Sequence, residues 1–209
     1  LNSIYKFSSS SPIEIVIVNN ASIEEKSYKY FYEIENRIEK NFSHKILDYN
    51  FDFNYSKINN YAVQHTNGDT LILLNNDVEI LSENWDYYLS SNANRNDIGC
   101  AGAKLLFDDL TIQHAGVILG IGGVAGHSHK YFSSKSNGYN GRLQKTQEYS
   151  AVTAACLCVT KQKWNKVGGL DESNLAVNYN DVDFCLKLRK LNYRNIYLPH
   201  VVAIHHESK

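Results

Sequence analysis

The sequence predicts an α/β fold in which a mostly parallel sheet is flanked by helices and joined to a smaller antiparallel part. Three observations predict it. Short β-branched runs alternate with amphipathic segments as far as Asn94, the signature of βαβ units. Beyond Asn94 the alternation stops, and extended pieces surround a Gly-rich stretch. Finally, 43% of the 209 residues are hydrophobic, enough for one domain with a substantial core.

The elements follow in order. Ile13 to Val18 (IEIVIV) reads as a buried parallel strand. Ser22 with Glu25 forms a capping box, which predicts a helix running to about Lys40. His44 to Tyr49 reads as a second strand, Tyr55 to Thr66 as a helix closed by Asn67-Gly68, and Thr70 to Leu74 (TLILL) as a third strand. Ser82 is placed to cap a helix through Asn94. Ile98 to Leu106 and Thr111 to Leu119 are extended, with an Asp108-Asp109 turn between them. Gly120 to Gly141 is a long aperiodic segment, and loops of that length are usually functional. Ala154 to Thr160 reads as a strand and Lys161 to Val167 as a short helix before Gly168-Gly169. Asp181 to Leu191 is an amphipathic helix with Phe184, Cys185, Leu188 and Leu191 inward. Arg194 to Leu198 and Val201 to Ile204 close the sheet.

Composition excludes several classes. A formal net charge of -1 provides no global field for nucleic acid or anionic lipid. No stretch approaches the roughly 18 apolar residues that a membrane helix requires. Peripheral association with a membrane surface stays compatible with the sequence. Cys100, Cys156, Cys158 and Cys185 lie in apolar contexts without a CxxC pair, as expected of reduced core thiols in a cytosolic protein. The chain starts at Leu1 and contains no Met, which is expected of a fragment.

Three places carry candidate chemistry. Asn75-Asn76-Asp77 directly follows TLILL, and ligands in open α/β sheets bind beyond the carboxyl ends of strands. A carboxylate there either holds a divalent cation or simply makes a turn. Asn180-Asp181-Val182-Asp183 opens a helix, with Asn180 as the candidate cap. The dipole keeps acids in that first turn ionised, which suits either a general base or ordinary capping. His205-His206-Glu207 follows the last strand, and adjacent residues face opposite ways, so one histidine at most enters a given site.

Taken together these pieces resemble glycosyltransferase family 2, and most closely its bacterial rhamnosyltransferase-like members of O-antigen and surface-polysaccharide synthesis. The matching runs are IVIVNNAS from Ile15, FNYSKINN from Phe53, LLNND from Leu73, GAKLLFDDLTIQHAGVILGIGGVAGH from Gly102, SAVTAACL from Ser150, VGGLDE from Val167 and the long run opening at Asn180. They cover essentially the whole chain. The resemblance implies a GT-A fold, Rossmann-like, with a smaller antiparallel part. It implies transfer of a sugar from a nucleotide diphosphate donor to a saccharide or lipid-linked saccharide acceptor, inverting and dependent on Mn2+ or Mg2+. Asp77 matches a metal-binding acid, and His205 matches a late histidine that completes the metal shell. Asp181 matches the catalytic base. Asn19, Lys57, Asn60, Asn75 and Asn76 fall in nucleotide-binding segments. Asp171, Glu172 and His127 are the acceptor-side candidates, although Asp171 and Glu172 serve equally well as turn caps. The resemblance places such a protein in the cytoplasm, at the inner face of a bacterial membrane.

The resemblance also implies that one domain spans 1–209 and is truncated at its N-terminus. The family's sheet starts with a strand that has no counterpart before Ile13. A break in the central sheet is therefore expected, with two strand edges open to self-association. Either the gap is filled by rearrangement or a swapped contact, or donor binding is weakened. Two other readings stay open: a non-catalytic nucleotide-sugar or glycan-binding domain, and a fragment inactive through truncation. A sugar nucleotidyltransferase would need a Gly-rich basic loop to cradle a triphosphate, and none is visible.

Overall fold

In the computed structural model, which describes residues 1–207, helices α1 (Asn2–Phe7), α2 (Glu25–Glu35), α3 (Tyr55–Gln64), α4 (Trp85–Ala93), α5 (Lys161–Val167) and α6 (Asn180–Lys190) surround eleven strands. The strands are β1 (Ile13–Asn19), β2 (Phe42–Asp48), β3 (Thr70–Leu74), β4 (Val78–Ile80), β5 (Ile98–Leu106) and β6 (Ile112–His114). They continue with β7 (Val117–Leu119), β8 (Ala125–His127), β9 (Gln147–Tyr149), β10 (Cys156–Thr160) and β11 (Arg194–His205).

The main sheet has the order β3-β10-β5-β11-β4, with β6 on β5 and β9 on β11. β5 and β11 run parallel, and β10 lies antiparallel between β3 and β5, so β3, β5 and β11 share one sense. The small antiparallel pieces are β4, β6, β9 and the β7–β8 hairpin. All nine residues of β5 are buried, as expected of a central strand covered on both faces.

Side chains alternate across β10. Leu157 and Val159 enter one core with Val63 of α3, Trp164 of α5, and Phe184, Cys185 and Leu188 of α6. Cys156 and Cys158 enter the other with Ile4 of α1 and Trp85, Leu89 and Ala93 of α4. Helices thus cover both faces. Phe184 is 1% exposed, and its burial alone contributes about 2 kcal/mol.

β1 and β2 form a separate parallel pair without a ladder to the main sheet. Among the described residues, β1 pairs only with β2, and β3 pairs only with β10. The expected break in the sheet is present. Glu14 spans part of it by accepting from the backbone and side-chain N–H groups of Asn67, both at 2.7 Å.

Several local expectations change. Ser22 does not cap α2; its N–H is held at 3.0 Å by Asn19 Oδ1, and the helix starts at Glu25 and ends at Glu35. Ser82 does not cap α4, because its hydroxyl receives the Val202 N–H at 2.8 Å and so ties the strand entry to β11. Tyr179, not Asn180, caps α6, in a left-handed conformation with φ 60°. Leu191 is partly exposed, and Val182 takes the inward place expected of it. Thr111 to Leu119 is broken at Gly116, where φ is 95° and a Cβ would overlap the Tyr149 ring. The two closing strands are one continuous β11 whose register shifts between Leu198 and Val202.

Candidate active site

One cleft of about 560 Å³ opens where β3 and β11 end and β10 begins, near the start of α6. Asn75, His127, Thr153, Asp181 and His205 line it, with Tyr55 at its base. Distant stretches of sequence converge here because these strand termini lie together.

Asp181 is held from two sides. Its Oδ2 accepts the Ala154 N–H at 3.1 Å, and its Oδ1 accepts the Val182 N–H at 2.8 Å. The first bond ties α6 to the loop before β10, and the second lies at the positive end of the helix. Tyr55 lies beneath, its hydroxyl within 3.2 Å of Ala154 O and 3.3 Å of Asn75 Oδ1. Burial first, and the Asp181 carboxylate second, push the Tyr55 phenol far above its ordinary range, so it stays neutral.

At the other end, His205 Nε2 and Asp77 Oδ1 lie 3.1 Å apart. Nδ1 of His205 faces Gln113 Oε1 at 2.8 Å, which places the proton on Nδ1. Nε2 then presents a lone pair. Asp77 Oδ1 is buried and has no hydrogen-bond partner. Asp77 Oδ1 is thus the orphaned acceptor of the pair, and a metal ion bound beside it would satisfy it. The pair's 3.1 Å separation suits adjacent ligands on an ion with bonds of about 2.1 Å. Asn75 Nδ2, 3.2 Å from the same Nε2, adds a polar group beside the pair. Among the described residues no third His, Cys, Asp or Glu joins them. The residues lining the cleft include no Lys or Arg. A diphosphate entering it therefore finds no fixed positive side chain on the wall.

His127 projects from β8, and its Nδ1 lies 2.8 Å from Nδ1 of buried His114. Burial lowers the pKa of both imidazoles, and for His127 the Asp181 carboxylate opposes that shift. The β7–β8 hairpin supplies Val117, Ala125 and Gly126 to the same wall. Part of the aperiodic Gly120 to Gly141 segment is thus a side of the cleft.

The remaining sequence candidates lie elsewhere. Asn19 ends β1, where its amide donates to Asp48 Oδ1 at 2.8 Å. Lys57 sits in the first turn of α3, its N–H capped by Asn54 at 2.9 Å. Asn76 is exposed in the turn after β3. Asn60 clamps the loop after α5, donating to Leu170 O and Glu172 Oε1 while its Oδ1 accepts the Leu170 N–H. Asp171 Oδ1 accepts the N–H groups of Ser173 and Asn174, both at 3.0 Å, which is turn capping. None of these five lines the cleft, and neither does Glu172. Sequence reasoning did not single out Tyr55, Gln113, His114 or Thr153. Gln113 and His114 lie in the run IQHAG of the resemblance, but only the fold brings them against His205 and His127.

No protein-family model matches the chain. It is 42% identical over 195 residues to the uncharacterized protein y4gI of Sinorhizobium fredii, covering 93% of this chain and 21% of that protein. It is 32% identical over 197 residues to the O-antigen biosynthesis protein RfbC of Myxococcus xanthus, covering 93% of this chain and 15% of that protein. The chain therefore spans only a minor part of the length of either relative. Among solved structures, GalNAc-T7 with UDP, GalNAc and Mn2+ superposes with a TM-score of 0.72 at 12% identity, over 98% of this chain and 40% of that one. The mannosyltransferase PcManGT from Pyrobaculum calidifontis, in complex with GDP-Man and Mn2+, gives 0.70 at 12% identity, over all of this chain and 52% of that one. The chain shares the GT-A fold of these two structures.

Proposed function

We propose that this cleft transfers a sugar from a nucleotide diphosphate donor to a saccharide or lipid-linked saccharide acceptor, with inversion at the anomeric carbon. The observation that carries the reading is that Asp181 and His205 line one cleft, with Asp77 Oδ1 3.1 Å behind His205 Nε2. The printed partners of the structural neighbours, UDP with GalNAc and GDP-Man, support the donor class. The O-antigen relative supports a polysaccharide acceptor.

Each residue has a stated task. Asp77 and His205 would hold a divalent cation such as Mn2+ or Mg2+, with Gln113 fixing the imidazole. When bound, that ion neutralises charge on the leaving diphosphate. Asp181 accepts the proton of the attacking acceptor hydroxyl. Its two backbone hydrogen bonds aim the carboxylate. The β7–β8 hairpin excludes water from one side. Asn19, at the carboxyl end of β1, and Lys57, on the first turn of α3, are the groups available for the nucleoside. Asn60 and Glu172 act on each other and shape the loop after α5. No described helix is long and apolar enough to cross a membrane, and a lipid-linked acceptor would bring the chain to the inner face of the bacterial membrane as a peripheral protein. The open edges of β1 and β3 offer a surface for self-association.

The test is consumption of a panel of nucleotide diphosphate sugars by the complete protein, with Mn2+ and with excess chelator. Mn2+-dependent consumption of one donor supports the reading. Binding of a donor without turnover, over a range of added saccharides, would replace it with the non-catalytic alternative.

A further inference from the structure

His127, which lines the cleft, and the buried His114 form a unit that catalysis by Asp181 does not require. His114, on β6, is fully buried. Its Nε2 faces the backbone N–H of Gly116 at 3.3 Å and that of Thr153 at 3.4 Å. A backbone N–H can only donate, so Nε2 of His114 must be the acceptor. The single ring proton of neutral His114 then sits on Nδ1. Nδ1 of His114 lies 2.8 Å from Nδ1 of His127, and two donors or two lone pairs cannot share that contact. His114 therefore donates, and His127 accepts on Nδ1. The proton of neutral His127 is left on Nε2, which has no hydrogen-bond partner among the described residues and belongs to a side chain lining the cleft. Burial keeps both rings on the neutral side, consistent with this chain of donors.

We propose that His114 is a positioning residue that fixes the tautomer of His127, so that His127 presents Nε2–H to a hydroxyl oxygen of the acceptor saccharide. This rests on the reading of the cleft as a sugar-transfer site. A neutral donor suits that task, because it can orient a sugar hydroxyl without competing with Asp181 for its proton. An imidazolium would instead favour the diphosphate. The Gly116 conformation is part of the device: φ of 95° turns the chain back so that its own N–H reaches the ring two residues earlier.

The tautomers are read by long-range imidazole 1H–15N correlation on the complete protein at pH 7.5. His114 is expected to show the Nδ1–H pattern and His127 the Nε2–H pattern. The reverse assignment at either ring overturns the proposal. In His114→Met, which has no N–H to donate, His127 should revert to a mixture of tautomers; an unchanged His127 in the folded variant also overturns it. The ligand is tested by titrating methyl glycosides of rhamnose, mannose and glucose against inorganic pyrophosphate. At least one glycoside should shift the His127 Nε2 resonance, with affinity at least fivefold weaker in His114→Met. A shift by pyrophosphate alone, or by no probe, removes the saccharide assignment. The expected tautomers in a protein that consumes no nucleotide sugar would uphold the histidine relay and sink the transfer reading instead.

Discussion

Replacing Asp181 by Asn tests the centre of the argument, because the same atoms carry fold and chemistry. Oδ1 and Oδ2 of Asp181 each accept a backbone N–H, from Val182 and Ala154. An amide has only one oxygen. If it keeps the Val182 bond, its NH2 points at the Ala154 N–H, donor against donor. An unmet donor of this kind costs about 1–3 kcal/mol, and the lost charge at the helix start adds up to about 1 kcal/mol. A net loss of about 2 kcal/mol lowers Tm by roughly 4–8 °C in a chain of this size. Transfer should fall much further, by about 100- to 10,000-fold, since the base is gone. Thermal unfolding and initial transfer rates, the latter measured well below both midpoints, separate the two effects. Near-normal transfer by a folded Asp181→Asn protein would refute the assignment of the base. An unchanged Tm would refute the two-sided hydrogen bonding.

The other expectations are more local. Asp77→Ala should abolish the Mn2+-dependent part of nucleoside diphosphate binding in titration calorimetry, while equal binding with and without Mn2+ in the unaltered protein would remove Asp77 from the site. Gly116→Ala should cost roughly 3 kcal/mol or more in urea unfolding, because the residue has φ of 95° and a Cβ would meet the Tyr149 ring. Burial lowers the pKa of His114, His127, His129, His44 and His200, so the unfolded chain takes up protons that the fold refuses below about pH 6.5. Stability should therefore decline as pH falls from about 6.5, seen as a lower urea midpoint at pH 5.5 than at pH 7.5. His206, raised by its bond to Asp108, acts in the opposite sense but is solvent-exposed and weak. Finally, all four cysteines are buried, with Cys156 pushed up to about 12, so a thiol reagent at pH 8 should react with the protein only after denaturant is added.

Sequence alone determined the class of the fold and most of its strands. Thr70–Leu74 and Ile98–Leu106 have the bounds that their apolar runs predict, and Ile98–Leu106, buried along its whole length, leaves an unbroken signal. Element ends were less legible. Ser22 and Ser82 look like caps, yet the Ser22 N–H is held by Asn19 in a local turn, and the Ser82 hydroxyl is taken by Val202, a partner that only the folded chain brings near. The site divides the same way. Asp77, Asp181 and His205 could be named from order and resemblance, and the break beside β1 from the same source. Sequence could not show that Asp77 and His205 face each other as acceptors, because residues 128 positions apart meet only through the antiparallel pairing of β4 with β11. Nor could it separate Asn60 and Glu172, bound to each other, from groups open to a ligand. Hydrophobic periodicity writes burial along the chain, but hydrogen-bond partnership between distant polar side chains leaves no local pattern, and that partnership is what the tertiary structure decided.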